Sequence, residues 1–355
     1  MKKLIITCGT LECGGAERVL SILSHKFADS FDVTLVLWID KPNFYKVDDR
    51  ITIVNLLGRS HKSNYIGKIC NFRRYIKNCN PDLVLSFLTP FNMLTLTALM
   101  CSKTKVVVAE RSDVRRIKGG KMLLLMRNFL YRFAIGILVQ TESNKNYLSS
   151  NLKRKSTVIY NPVIMPKEFV GSALDKAKKK MIVSVGRLIA VKNHKLLVDA
   201  FCQFRNTHKD YSLTIYGEGL DRLVLEQYIK SKNLESCVFL PGSRENVWDC
   251  ILSSKVFVLS SNFEGMPNSL IEAMCLGLPC ISTKVSGAID LIKNGKNGFL
   301  VEIGNEKELV DSLNSLIDNE DLLFKVGVAA TEIYNKLSYN AISAKWVAYL
   351  KQKIG

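Results

Sequence analysis

VFVLSSNFEGMPNSLIEAMCLGLPCIST, residues 256–283, runs from an apolar stretch through a Gly-Met-Pro-Asn turn into a helical pattern and out to a second apolar stretch, PCIST. Apolar runs without alternation, separated by a helix, are the pattern of parallel strands buried on both faces. Glu264 and Glu272 stand eight positions apart around the turn. Ser269 and Glu272 have the spacing of a capping box, in which a hydroxyl and a carboxylate satisfy the exposed amides of a helix opening near Ser269. That local reading needs no ligand. The rest of the chain decides whether the turn does more.

Working outward, the same unit repeats. MIVSVG, SLTIYG, CVFLPG and GFLV are further buried strands of the second half. In the first half KLIIT, VTLVLW, ITIVNL, DLVLSF, KVVVAE, GILVQT and STVIY read alike, with amphipathic helices over residues 16–28, 65–77 and 91–100 between them. The polar, lysine-rich PKEFVGSALDKAKKK reads as a linker. The expected fold is therefore α/β: two doubly wound Rossmann-like domains facing a central cleft, over residues 1–163 and 164–338. A last helix, within residues 339–355, is expected to pack back toward the first domain. In such sheets ligands sit beyond the carboxyl ends of the strands.

Composition narrows the class. Of 355 residues, 47% are hydrophobic and 23% charged, as in a globular protein. No apolar run approaches the roughly 18 residues that a membrane-crossing helix needs. The opening MKKLIITCGTLECGG reads as a first strand, not a signal peptide. The ten cysteines include no C-x-x-C pair, which speaks against zinc sites and a disulfide framework and for reduced thiols in a cytoplasmic protein. Net charge is +18, unevenly spread: residues 1–165 carry 26 Lys and Arg against 11 Asp and Glu, the remainder 24 against 21. An anionic surface or polymer facing the first half is the implication.

The strand ends carry the chemistry. SVGRLIAVKN places Gly186, Arg187 and Lys192 between a strand and a helix. Glycine permits close backbone approach there, while Arg as a fork and Lys as a point charge can grip a diphosphate. A solvated basic loop is the bland alternative. YGEG, with Gly217, is a second glycine-broken turn and weak evidence by itself. The helix start after Pro267 offers the positive end of a dipole to an anion. An ionised Glu264 or Glu272 repels phosphate but accepts hydrogen bonds from sugar hydroxyls. Sugar at Glu264, diphosphate at the helix start with Arg187 and Lys192, and ribose at Glu272 together describe a nucleotide sugar.

With these motifs in this order, the chain resembles the family 4 glycosyltransferases of the GT-B fold. The resemblance spans nearly the whole length: GGAERVL, VGRLIAVKNHKLLVDAF, IYGEGLDRLVLE and the E-x7-E block running on through AMCLGLPCI. It implies transfer with retention from a nucleotide sugar, with no metal or other cofactor. By the same resemblance the first domain binds acceptor and the second binds donor. Arg187 and Lys192 would stabilise the leaving diphosphate, Glu264 would orient the sugar and Glu272 the ribose. The backbone of Gly265, Met266, Pro267, Asn268 and Ser269 would bind phosphate, with Gly186 and Gly217 lining the site. Ser243 and Arg244 of GSREN would flank the base, and Gly14 and Gly15 would close over the diphosphate. Where many members carry His-Asp after the fifth strand, this chain has ERSD, with Glu110, Arg111 and Ser112. It thus looks like the Glu-Arg-Ser branch, which includes transferases of lipid-linked oligosaccharides. Glu110 or Arg111 is expected to touch substrate, a structural ion pair being the alternative. The donors implied are UDP-linked GalNAc, GlcNAc, Gal or Glc.

The basic half suggests a surface. RRIKGGKMLLLMRNFLYRFA, residues 115–134, sets Leu123, Leu124, Leu125, Met126, Phe129, Leu130 and Phe133 among Arg115, Arg116, Lys118, Lys121, Arg127 and Arg132. A stretch of that kind can lie on an anionic membrane, and residues 59–78 add further basic charge. The location expected is peripheral, on the cytoplasmic face of the inner membrane. A nucleotide-sugar epimerase and an inactive scaffold are the competing readings. A nucleic-acid partner is not expected, since charge alone suggests it and no aromatic-basic motif does.

Overall fold

The computed structural model describes residues 1–12, 14–56, 65–111, 114, 120–244 and 246–355. It divides into a first unit, Met1–Pro162 with Tyr339–Gly355, and a second unit, Val163–Ser338.

The first unit is built on seven parallel strands: β1 Lys3–Cys8, β2 Asp32–Leu37, β3 Thr52–Asn55, β4 Leu83–Phe87, β5 Val106–Ala109, β6 Gly136–Val139 and β7 Ser156–Val158. They lie in the order β3-β2-β1-β4-β5-β6-β7. Every residue of β4, β5 and β6 is buried, which is why these strands read as unbroken apolar runs. The terminal helix Tyr339–Ile354 buries Ile342, Trp346, Leu350 and Ile354 on one stripe. Trp346 stacks on Phe87 at 5.7 Å and meets Phe27 edge-on at 6.0 Å, so this helix is part of the first unit's core.

The second unit has six parallel strands: β8 Met181–Val185, β9 Ser212–Tyr216, β10 Val238–Phe239, β11 Val256–Leu259, β12 Cys280–Thr283 and β13 Phe299–Val301. Their order is β10-β9-β8-β11-β12-β13. The helix His194–Phe204 buries Leu197, Phe201 and Phe204 on one face, against Leu213, Ile215 and Val256 of the sheet core. Truncating Phe201 to Ala would cost about 3–5 kcal/mol by transfer and cavity terms.

Two readings need correction. The lysine-rich stretch is no linker, because its apolar residues dock it: Ala173 is fully buried, and the Gly171 and Ala173 amides donate to the carbonyls of Cys275 and Leu276 at 3.0 and 2.9 Å. Arg127 is not a surface charge. It is 2% exposed, donates to the Val114 carbonyl at 2.8 Å and lies over the Tyr131 ring. Arg115, Arg116, Lys118, Ser112 and the first residues of the 59–78 segment lie outside the described residues.

Candidate active site

In the second unit strand order reverses between β8 and β11, and the loops leaving these two strands hold the predicted chemistry. After β8, the Gly186 amide donates to the Tyr216 carbonyl and the Leu188 amide to the Glu218 carbonyl, each at 2.9 Å. A short turn, Ala190–Lys192, follows. Asn193 then adopts a left-handed conformation (φ 48°), which asparagine tolerates better than most residues. After β11, Ser260 Oγ donates to the Lys192 carbonyl at 3.0 Å, and the Asn262 amide donates to the Val191 carbonyl at 2.8 Å. Laced in this way, the loops bring Lys192 Nζ into an ion pair with Glu264 Oε1, which also accepts from Ser261 Oγ at 2.9 Å. The two side chains are 15% and 17% exposed, so solvent weakens the pair little and a ligand can still reach it. Arg187, on the same loop, is exposed.

The helix expected near Ser269 runs Asn268–Cys275, with Pro267, which has no polar side chain, as its N-cap. The capping box is therefore overturned: Ser269 and Glu272 both lie inside the helix. Pro267 also has no N–H to offer an anion, so amide donors here come from its neighbours. Glu272 is buried and helps burial push the Cys275 thiol up to about 12. Ser243 and Arg244 are exposed beyond β10. Arg244's charge acts on Tyr216, whose phenol burial and Cys250 hold above its ordinary range.

Several positioning residues escaped the sequence reading. His194 Nε2–H donates to the Arg187 carbonyl at 3.2 Å, and burial pulls this ring down to about 4, so it is neutral at pH 7. Thr283 Oγ1 donates to the Ser261 carbonyl at 2.6 Å. Gly287 lets its helix lie on the turn: a Cβ there would come within 2.8 Å of the Gly265 carbonyl and 2.5 Å of the Pro267 ring. Gly217, expected to line the donor site, has φ +149° and abuts the Gly186 carbonyl, which an added Cβ would meet at 1.9 Å. Isolated hydroxyls and glycines carry no periodicity, so only the neighbours that fold against them show their roles.

In the first unit Gly14 caps and Gly15 opens the helix Gly15–Ser30. Glu110 and Arg111 follow β5. Glu110 is fully buried, accepting from Thr89 Oγ1 at 2.7 Å and from the Tyr131 hydroxyl. Each of its oxygens thus accepts one hydrogen bond from the protein, which ties the end of β5 to the helix Thr89–Leu99 and to Tyr131. Glu110 does not form the ion pair with Arg111 held as the alternative, since Arg111 donates instead to Asn161. At the end of β4, Leu88 adopts φ 73°, a conformation costly for a branched side chain. Among the described residues no group of three or more His, Cys, Asp or Glu side chains could hold a metal.

Comparison with known proteins follows the two units. Residues 13–165 match Glycosyltransferase Family 4, and residues 167–342 match Glycosyl transferases group 1. The N-acetylgalactosamine-N,N'-diacetylbacillosaminyl-diphospho-undecaprenol 4-alpha-N-acetylgalactosaminyltransferase of Campylobacter jejuni is 31% identical, over 91% of this chain and 92% of the relative. The lipopolysaccharide 1,6-galactosyltransferase of Salmonella typhimurium is 33% identical, over 86% and 87%. The crystal structure of Anabaena HepE in complex with UDP superposes with a TM-score of 0.82 at 18% identity, over 99% of this chain and 100% of that one. Similarity of this extent in sequence and fold places the chain in glycosyltransferase family 4, as a hexosyltransferase on the GT-B fold.

Proposed function

We propose that this transferase moves GalNAc, GlcNAc, Gal or Glc from a UDP-sugar to a lipid-linked saccharide in bacterial surface-glycan assembly, with retention of configuration and without a metal. The observation that carries the reading is the Lys192–Glu264 pair, held at the strand-order reversal beside the start of the helix Asn268–Cys275. Relatives named for undecaprenol-linked and lipopolysaccharide acceptors support the acceptor class, and the UDP complex of a structural neighbour supports the donor. In this reading Glu264 accepts from a donor-sugar hydroxyl and Glu272 serves the ribose. Arg187 and Lys192 face the diphosphate, where negative charge grows as the glycosidic bond breaks. The backbone of 265–269 holds phosphate, Ser243 and Arg244 flank the base, and Gly14 and Gly15 close over the diphosphate. No protein nucleophile is assigned.

The first unit supports peripheral membrane binding. The helix Gly120–Leu130 and the turn after it expose Met122 (83%), Leu125, Met126, Phe129 and Phe133 at helical spacing, with Lys121 and Arg132 exposed beside them. That stripe suits the headgroup boundary of an anionic bilayer at the cytoplasmic face of the inner membrane. No helix of the described residues is long and apolar enough to cross a membrane.

The test is UDP release across a panel of UDP-sugars, with and without lipid extract. Release that requires one sugar and lipid is expected. Release indifferent to lipid removes the lipid-linked acceptor from the reading, and silence with every UDP-sugar removes the donor class.

A further inference from the structure

Arg111 is buried and charged, and no carboxylate among the described residues pairs with it. It is 8% exposed, and its guanidinium lies 5.9 Å from the Phe87 ring centroid and 5.8 Å from that of Trp346. One Nη donates to Asn161 Oδ1, which also accepts from Gln140, while Nε is buried with no acceptor. Among the described residues no acid pairs with it. The adjacent Glu110 accepts instead from Thr89 and Tyr131. Burial pulls Arg111 down to about 9, which leaves it a cation at pH 7.

A buried charge without a partner is among the costliest features a fold can carry, and one that persists calls for a counter-ion. Arg111 stands just past β5 at the carboxyl edge of its sheet, where ligands of doubly wound units sit. Strain at the same edge, at Leu88, is a further mark of a functional position. Guanidinium presents a planar fork that matches phosphate oxygens in pairs, and the two aromatic rings hold that fork in place. In the function proposed above Arg187 and Lys192 serve the donor's diphosphate, which leaves a different phosphate for this cation of the first unit.

We propose that Arg111 binds a phosphate of the acceptor, supplying half of an ion pair that the acceptor's diphosphate completes. The proposal rests on the acceptor being lipid-diphosphate-linked, and its test separates the two ideas. Wild type, Arg111→Met and Arg111→Lys would be titrated with farnesyl diphosphate and, separately, with UDP, and melted alone and with each ligand. Farnesyl diphosphate should bind wild type and raise its melting temperature. Arg111→Met should lose at least about 30-fold in that affinity, as when one member of a buried charge pair is removed. It should keep its UDP affinity, and melt alone no lower than wild type, because an uncompensated buried cation has gone. Arg111→Lys, which keeps the charge without the fork, should fall between; it carries the test if the Met variant does not fold. Unchanged farnesyl diphosphate affinity in both variants overturns the proposal, as does a loss confined to UDP, which would assign Arg111 to the donor. A lower melting temperature with both affinities intact makes the residue structural. Wild type that turns over a lipid-linked acceptor while either variant keeps the acceptor KM defeats this inference alone. No turnover of such an acceptor by wild type defeats the functional reading beneath it.

Discussion

Both units wind their strands in the same sense, with three strands on one side of the reversal and the later strands on the other. At the carboxyl edge of the second sheet, Lys192 and Glu264 lie 72 positions apart in sequence and meet as an ion pair. At the same edge of the first sheet, Glu110 and Arg111 are neighbours in sequence yet turn away from each other, the acid to hydroxyls and the base to aromatic rings and an amide. Winding determines where loops gather. Which charges cancel there is decided by the side chains that surround each one. A pair that cancels can be exchanged for a substrate's hydrogen bonds, and a charge left uncancelled calls for a substrate's charge.

The sharpest way to break the contrast is at the paired edge. Glu264→Ala or Lys192→Ala should lower kcat by about 10²–10³, or about 3–4 kcal/mol, as for loss of one group aimed at developing transition-state charge. Far-UV circular dichroism should be unchanged. Turnover within a few-fold of wild type in UDP-release assays would leave the pair as mere loop scaffolding. Next comes the backbone beneath it. Gly217→Ala should cost about 2–4 kcal/mol in urea denaturation, from its φ and its clash with the Gly186 carbonyl. Gly186→Ala should cost under about 0.5 kcal/mol, because a Cβ there meets nothing nearer than the Lys192 side chain, at 3.5 Å. Equal costs at the two glycines would mean that the loops yield.

His194 adds a pH signature to the second unit. Its pKa of about 4 in the fold lies below the ordinary 6.5, so between those values the unfolded chain holds the extra proton. Stability from this group is full above pH 6.5 and drains away as pH falls toward 4, by on the order of 3 kcal/mol. His194→Gln should flatten that part of the stability-pH curve, and a curve parallel to wild type would refute a buried neutral ring. A smaller loss than at His194 belongs to the first unit. Tyr131→Phe removes one donor from buried Glu110 and should cost about 1.5–3 kcal/mol in chemical denaturation. No measurable loss would show that the carboxylate has other support, and the contrast between the edges would soften.

Much of this was legible from residues alone, and for identifiable reasons. Parallel strands buried on both faces leave unbroken Val, Ile and Leu runs, so β8 and β11 were visible, and with them the loops carrying Lys192 and Glu264. Misreadings arose where local pattern and packing disagreed. Ser269-x-x-Glu272 has capping-box spacing, but Pro267 takes the cap and the helix has already begun. The lysines of residues 176–180 disguised the apolar docking of Ala173 before them. Arg127 looked like one more charge on a basic face until Val114 and Tyr131 were found closing over it.

From sequence by itself came two α/β units, the strand ends that carry charge, and the family resemblance, because periodicity and residue order are properties of the chain. Partnership is not. Whether Glu110 meets Arg111 or Tyr131, whether Lys192 meets Glu264, and whether a glycine faces open space or a carbonyl depend on atoms brought together from distant positions. Electrostatic and steric energies fall off with distance in space, whatever the separation in sequence. That is why only the tertiary structure could distinguish a carboxylate held by two hydroxyls from an arginine that no acid among the described residues pairs.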